Sequence, residues 1–262
     1  MIDIGTIKKY FPLSLQNNSI YYKYMLKEYL QLLILDFLSS TSYIKKVIFI
    51  GGTYLRLVMG IDRFSEDIDF DCKDLTKDEF HELCDDVANY LKKNGYKVEL
   101  RKDENKDLKA FREGIYFPEF LFQIGLSAHR DAKFLIKIEA QDQGVNYNID
   151  IDFIKGCGFF FPFPVPKVNV ICSMKIAALI NRQKGRDFYD VMFLLSLTEP
   201  DYSFLSTKCG IHNLNELKKQ LNNILLKVDL NSKIKDFQHL LFNSENGKKI
   251  LYFKEFIDKI SK

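Results

Sequence analysis

Apolar and polar positions along this chain follow two rhythms, and the change comes near residue 170. Residues 19–40, SIYYKYMLKEYLQLLILDFLSS, repeat apolar positions at helical spacing and predict an amphipathic helix. VIFI at 47–50 is a short β-branched and aromatic run halted by Gly51-Gly52, the pattern of a buried strand ending in a turn. TYLRLVMG predicts a short helix ending at Gly60, and DIDFD alternates like a strand. Residues 77–94 form a helix with Phe80, Leu83, Cys84, Val87 and Leu91 on one face. Strand patterns follow at 97–101, 120–126, 134–140 and 147–154, the middle two joined as a hairpin by SAHRDAK. FFFPFPVPKV is a proline-broken extended link.

From about Ile171 the period is helical: ICSMKIAALINRQ, a stop at Gly185, then RDFYDVMFLLSL, with further runs at 213–227, 233–243 and 247–261. The order of elements predicts an α+β half over residues 1–170, followed by a helical bundle over 171–262.

Composition narrows the field without naming a function. The 262 residues are 47% hydrophobic and 28% charged, which excludes a disordered chain. The 23 Phe and 14 Tyr read as core. A net charge of +3 sets up no global field for nucleic acid, although residues 201–262 carry 11 Lys against 7 acids and read as a solvated basic surface. Five scattered cysteines without a C-x-x-C form neither a disulfide framework nor a zinc site, and the four histidines lack ligand spacing. MIDIGTIKKYF has no signal-peptide pattern, and LQLLILDFL is too short to span a bilayer. A cytoplasmic protein with no membrane partner is expected.

The chemistry concentrates in GGTYLRLVMGIDRFSEDIDFD, residues 51–71. Asp67 and Asp69 lie two apart on a strand, so both carboxylates leave one face and repel unless a cation sits between them. Oxygen ligands of this kind suit Mg2+ or Mn2+. Upstream, a strand running into Gly51-Gly52 and a helix start offers open backbone N–H groups for a phosphate, with Thr53 as a cap. Metal carboxylates beside a phosphate cradle describe phosphoryl or nucleotidyl transfer. No Walker loop and no dinucleotide fingerprint is present. A third carboxylate commonly completes such a site; Glu139 in IKIEA, with Lys137 on the same strand face, is one choice, and Asp150 and Asp152 are its rivals.

A second stretch, SMKIAALINRQKGRDFYD at 173–190, places Lys175 and Arg182 seven apart on one helix face, with Arg186 after the Gly185 break. Three cations there could clamp a triphosphate. Asp187 has two candidate roles, N-cap of the next helix or a catalytic acid.

These segments resemble the motifs of the AbiEii/AbiGii toxin-type nucleotidyltransferases, a branch of the polymerase-β-like superfamily. FIGGTYLRLVMGIDRFSEDIDF resembles their first motif, IKIEA the next, and KIAALINRQKGRDFYD the last; the likeness spans roughly residues 25–195. The resemblance implies a polymerase-β-like nucleotidyltransferase fold with a mixed sheet, joined to a helical bundle, and transfer of NMP from an NTP to an acceptor hydroxyl. The acceptor it favours is an RNA 3′ end, tRNA included; the alternatives are a protein hydroxyl (NMPylation) or a nucleotide-binding regulator. It also implies a toxin with a cognate antitoxin. Asp67, Asp69 and Glu139 would bind the metal, and Lys175 and Asp187 would take part in catalysis. Gly51, Gly52, Thr53, Arg56, Ser65, Lys137, Arg182 and Arg186 would contact the nucleotide. The chain departs from the motif at Ile50, where many members carry Lys.

Overall fold

The structure, a computed structural model, describes residues 3–102 and 110–260, the side chain of Lys102 excepted. The chain divides into two compact units. The first comprises Met1–Gly60, Phe64–Gly144 and Asp150–Val165, and the second Ile61–Arg63, Val145–Ile149 and Pro166–Lys262.

The first unit opens with two single helical turns, α1 (Ile4–Ile7) and α2 (Leu13–Gln16), and the long helix α3 (Tyr22–Ser39). Strand β1 (Val47–Ile50) passes directly into α4 (Gly51–Leu57), and β2 (Ile68–Cys72) leads to α5 (Lys77–Lys93). A capping box between Thr76 and Glu79 starts α5, and Phe80, Leu83, Cys84, Val87 and Leu91 are buried as their spacing predicts. Next come β3 (Glu99–Lys102), β4 (Phe111–Tyr116), α6 (Phe120–Gln123) and β5 (Leu135–Gln141). The sheet order is β1-β2-β5-β4-β3, with β2 and β5 parallel and the other pairs antiparallel. The mixed sheet and the many helices give the α+β class the sequence implies.

Two elements differ from expectation. Residues 120–126 form no strand: after Glu119, with φ +56°, the chain makes the helical turn α6, and no hairpin joins it to β5. The run FLF lacks the alternation a half-buried strand needs. The antiparallel partner of β5 is instead β4, FREGIY, whose charges and glycine hide its strand character. A Cβ at Gly114 would lie 2.8 Å from Leu135 Cδ1 and would push the end of that side chain aside.

The proline-rich segment is also more than a link. β7 (Phe159–Pro166) pairs with β6 (Ile149–Gly156) in a separate two-stranded sheet. Phe163 of β7 stacks on Phe70 at 5.9 Å and meets Phe49 at the same distance. Phe49 and Phe70 are partners across β1 and β2, so this aromatic core fills the face of the sheet opposite Asp69. His81 of α5 pairs with the buried Glu113 of β4 on that same face.

The second unit holds α7 (Val168–Arg182), α8 (Gly185–Leu195), α9 (Tyr202–Cys209), α10 (Leu214–Leu225), α11 (Leu230–Lys235) and α12 (Phe253–Lys259). Gly185 is not a stop but the first residue of α8; the break is Gln183, with φ +51°. A Cβ at residue 185 would lie 1.9 Å from the Lys233 carbonyl oxygen, so glycine admits α11 against α8. The expected run over 233–243 is split between α11 and a 3-10 turn at Gln238–Leu240, and α9 lies where no helix was expected. Phe188 against Phe253, at 5.0 Å, and Tyr189 against Phe237, at 5.5 Å, sit in its core.

Candidate active site

The ladder of the five-stranded sheet places Asp69 between two partners: Ile50 of β1 on one side and Glu139 of β5 on the other. Glu139 in turn faces Arg112 of β4. Four residues from four strands thus form one row across one face. Gly51 follows Ile50 with φ +85°, and a Cβ there would lie 2.0 Å from Asp69 Oδ2. The glycine pair and the aspartate pair, sixteen positions apart from Gly51 to Asp67 in sequence, are therefore neighbours in space.

Asp67 lies one residue before β2 rather than within it. It flanks Ile68, which is buried, so Asp67 and Asp69 leave the opposite face together. Burial raises the Asp67 carboxyl above the ordinary aspartate range; Lys137 and Lys27 oppose the shift, and Glu139 and Glu66 add to it. Among the described residues the Asp67 carboxylate accepts no hydrogen bond and forms no ion pair. The third aspartate of the run, Asp71, is buried and accepts the Gln143 backbone N–H at 2.9 Å, a structural role.

Thr53 does not cap α4. It is the third residue of the helix, fully buried, and its hydroxyl donates to the Asp67 carbonyl oxygen. Its effect is to tie α4 to the backbone carrying the catalytic candidate. Arg56 holds Glu28 of α3 through Nε at 2.8 Å and Nη2 at 3.0 Å. Ser65 is buried, and its carbonyl accepts from Gln31 at 3.3 Å. Lys137 sits two residues before Glu139 on the same face of β5. Asp150 and Asp152, the rivals of Glu139, lie exposed on the separate β6–β7 sheet.

In the second unit Lys175 is buried on α7 and donates to Asp190 Oδ2 at 2.9 Å. Arg63, 1% exposed, grips the same carboxylate through Nε and Nη2, both at 2.7 Å. One buried acid therefore faces two cations. Burial pulls the Lys175 ammonium below the ordinary lysine value, and Arg63 adds to this while Asp190 opposes it. Burial alone would raise Asp190, yet Arg63 and Lys175 hold it well below the usual carboxylate range. Arg182 does not join Lys175 but turns to Asp187, with Nη2 to Oδ1 at 2.8 Å. Asp187 is completely buried and is not the N-cap of α8; as its third residue it reaches back to the Lys184 backbone N–H at 3.0 Å. Arg186 follows Gly185 in the first turn of α8 and is partly buried.

The sequence profile of one family, described as "Nucleotidyl transferase AbiEii toxin, Type IV TA system", matches residues 33–209. The chain belongs to the AbiEii nucleotidyl transferase toxin family. It is accordingly a nucleotidyltransferase of the toxin–antitoxin type. Similar solved structures share the fold at low identity. MenT4, nucleotidyltransferase toxin Rv2826c from Mycobacterium tuberculosis H37Rv, superposes with a TM-score of 0.62 at 16% identity, covering 100% of this chain and 91% of that one. A putative nucleotidyltransferase from H. pylori gives 0.56 at 20% identity, with coverage of 89% and 92%. JHP933 from Helicobacter pylori gives 0.54 at 19% identity, with 90% of each chain covered. No curated protein sequence matches the chain.

In this AbiEii-family chain the carboxylate pair fits a divalent cation better than the full trio does. Asp67 is partly buried, unbonded and next to other acids, which is the setting a cation relieves. Glu139 is instead committed to Arg112, with Nε to Oε1 at 2.7 Å and Nη2 to Oε2 at 2.9 Å. Among the described residues no three His, Cys, Asp or Glu side chains converge as a ready-made metal cluster, and the Arg112 pairing is the physical reason for Glu139. No helix among them is long and apolar enough to cross a membrane.

Sequence patterns missed several of these groups. Lys27, Glu28 and Gln31 are polar residues on the buried face of α3, and that anomaly in an apolar helix was a usable signal for partners. Lys27 meets Glu66 at 3.2 Å. Arg63 and Asp190 lie within the quoted motifs but 127 residues apart, so no local pattern pointed to their pairing, and Arg112 sits in an unrecognised strand.

Proposed function

We propose that this protein transfers a nucleoside monophosphate from an NTP to an acceptor hydroxyl, most readily an RNA 3′ end, at the Asp67–Asp69 pair. The observation that supports this is the packing of Gly51 against Asp69, which sets open backbone beside the carboxylates. Asp67 and Asp69 would hold Mg2+ or Mn2+, which when bound would neutralise charge on the triphosphate. Glu139, opposite Asp69 in the sheet, would exchange Arg112 for the reacting centre and serve as the third carboxylate, accepting the proton of the attacking hydroxyl. The oxygen–phosphorus bond to the acceptor forms as the bond to pyrophosphate breaks.

Gly51, Gly52, Ser65 and Lys137 would meet the nucleotide from the first unit. By family resemblance Lys175, Arg182, Arg186 and Asp187 are assigned to nucleotide binding and catalysis. The biological reading is a toxin opposed by a cognate antitoxin. Incubation with each labelled NTP, Mg2+, total RNA and cell lysate tests the proposal. Label in RNA 3′ ends, lost on chelation, is the expected result. Label in protein would replace the RNA acceptor by a protein hydroxyl, and label in neither would overturn transfer at this pair.

A further inference from the structure

We infer that the outer edge of β6 is a docking site for an extended polypeptide segment in which apolar and basic side chains alternate. Among the described residues the β6–β7 ribbon has two strands, and each keeps one free edge. On β7, Pro162 and Pro164 are two residues apart, and neither has an N–H to donate. Residues two apart direct their backbone groups to the same side, and prolines are tolerated only on the unpaired side. The free edge of β7 is thus stripped of donors at both positions. The edge of β6 carries no proline; the Phe153 N–H donates to its neighbour Asp152 Oδ1 at 2.8 Å, a contact an added strand would have to replace.

The exposed part of β6 has two chemically different faces. Ile151 and Phe153, 61% and 56% exposed, lie on one, and Asp150 and Asp152 lie exposed on the other. The apolar face extends onto β7, where Phe160, 66% exposed, stacks on Phe153 at 5.2 Å and an interplanar angle of 14°. Buried aromatics explain themselves; a stacked pair of phenylalanines in solvent does not. A strand added here would gain main-chain hydrogen bonds from the edge and specificity from side chains on alternate sides. Charge decides what that strand carries. It needs apolar groups beside Ile151 and Phe153, and Lys or Arg beside Asp150 and Asp152.

A second copy of this chain does not meet that need. Antiparallel pairing of the exposed 150–153 stretch with itself either sets the aspartates against one another or sets them among the apolar side chains, depending on register. The inference uses none of the residues of the Asp69 row and does not rest on the transfer chemistry.

The test uses the full chain and two short fluorescent peptides of identical composition, one alternating valine and lysine, the other scrambled. Saturable binding of the alternating peptide, weaker at higher salt, is expected, with the scrambled peptide weaker on the order of tenfold. The double variant Asp150→Lys/Asp152→Lys should lose the lysine peptide and gain a valine–glutamate one. Ile151→Pro should lose both while an unchanged thermal unfolding profile shows that the fold survives. Equal binding of scrambled peptide, or no reversal of preference on charge reversal, would overturn the proposal. So would a concentration-dependent dimer abolished by Ile151→Pro, which assigns the edge to a second copy. Binding of oligouridine abolished by Phe153→Ser would assign the face to RNA instead.

Discussion

Gly51 and Asp69 are packed so closely that a single methyl group on residue 51 would lie inside the aspartate's carboxylate, 2.0 Å from Oδ2. The glycine also has φ +85°, a conformation that costs an L-residue about 1–2 kcal/mol. Gly51→Ala should therefore displace Asp69 and abolish transfer. Gly60→Ala separates the two causes: its φ is +73°, but nothing lies within 4 Å of the added carbon. That variant should lose about 1–2 kcal/mol of stability and keep its activity. Thermal unfolding and labelled-NTP transfer on both variants check the pair, and an active Gly51→Ala protein would remove the basis of the proposed site.

Glu139→Ala should lower kcat by roughly 100-fold or more with NTP affinity little changed, as expected when a group acting on a proton in transfer is removed. Asp152→Ala should remain near wild type, because Asp152 is on the β6–β7 ribbon and not in the Asp69 row. The opposite outcome would move the third carboxylate to β6.

The Arg63–Asp190–Lys175 cluster predicts a specific acid limb. Asp190 is held at about 2, against an ordinary 3.8, because Arg63 and Lys175 outweigh its burial. A carboxylate depressed in the fold contributes stability that is complete above the unfolded pKa and is lost as pH falls through the folded one. Urea unfolding of the wild type should therefore weaken as pH drops from roughly 4 toward 2. Asp190→Asn should be less stable at neutral pH by about 3–5 kcal/mol, since two buried cations lose the carboxylate they share. It should also lack this share of the acid dependence.

Asp187 is tested by two substitutions. Asn can still accept the Lys184 N–H, so Asp187→Asn should shift stability by no more than about 1 kcal/mol. Ala removes the acceptor of that N–H and the carboxylate that Arg182 grips, and should cost about 1–3 kcal/mol. If Asp187 serves catalysis, Asp187→Asn should lose on the order of 100-fold in transfer with its melting temperature nearly unchanged. Full activity would leave it a helix-start and arginine anchor only.

Local pattern carried the elements whose rhythm is strong: α3, α5, β1, β2 and β5 all stand where spacing put them. It failed where two patterns compete. Phe120, Leu121 and Phe122 are apolar enough for a strand, but the left-handed Glu119 turns the chain into a helix start. β4 went unread because Arg112 and Glu113 look like surface, whereas one meets Glu139 across the sheet and the other is buried under α5. The site divided the same way. Asp67, Asp69 and the glycines were legible as adjacent motifs, while Glu28 under Arg56 and Arg63 on the acid that Lys175 also holds came from distant positions that only tertiary structure brings near.

The pairing of Asp69 with Glu139 has one more consequence. Backbone ladders admit only whole-residue displacements, so the spacing between these two acids cannot be tuned gradually. A single-residue insertion or deletion in β2 or β5 would swap Asp69 or Glu139 on this face for Ile68, Phe70 or Ile138 outright. Such changes behave as switches rather than dials. Variation that adjusts which nucleotide or acceptor is used must therefore enter through side chains and loops around the row, leaving its register untouched.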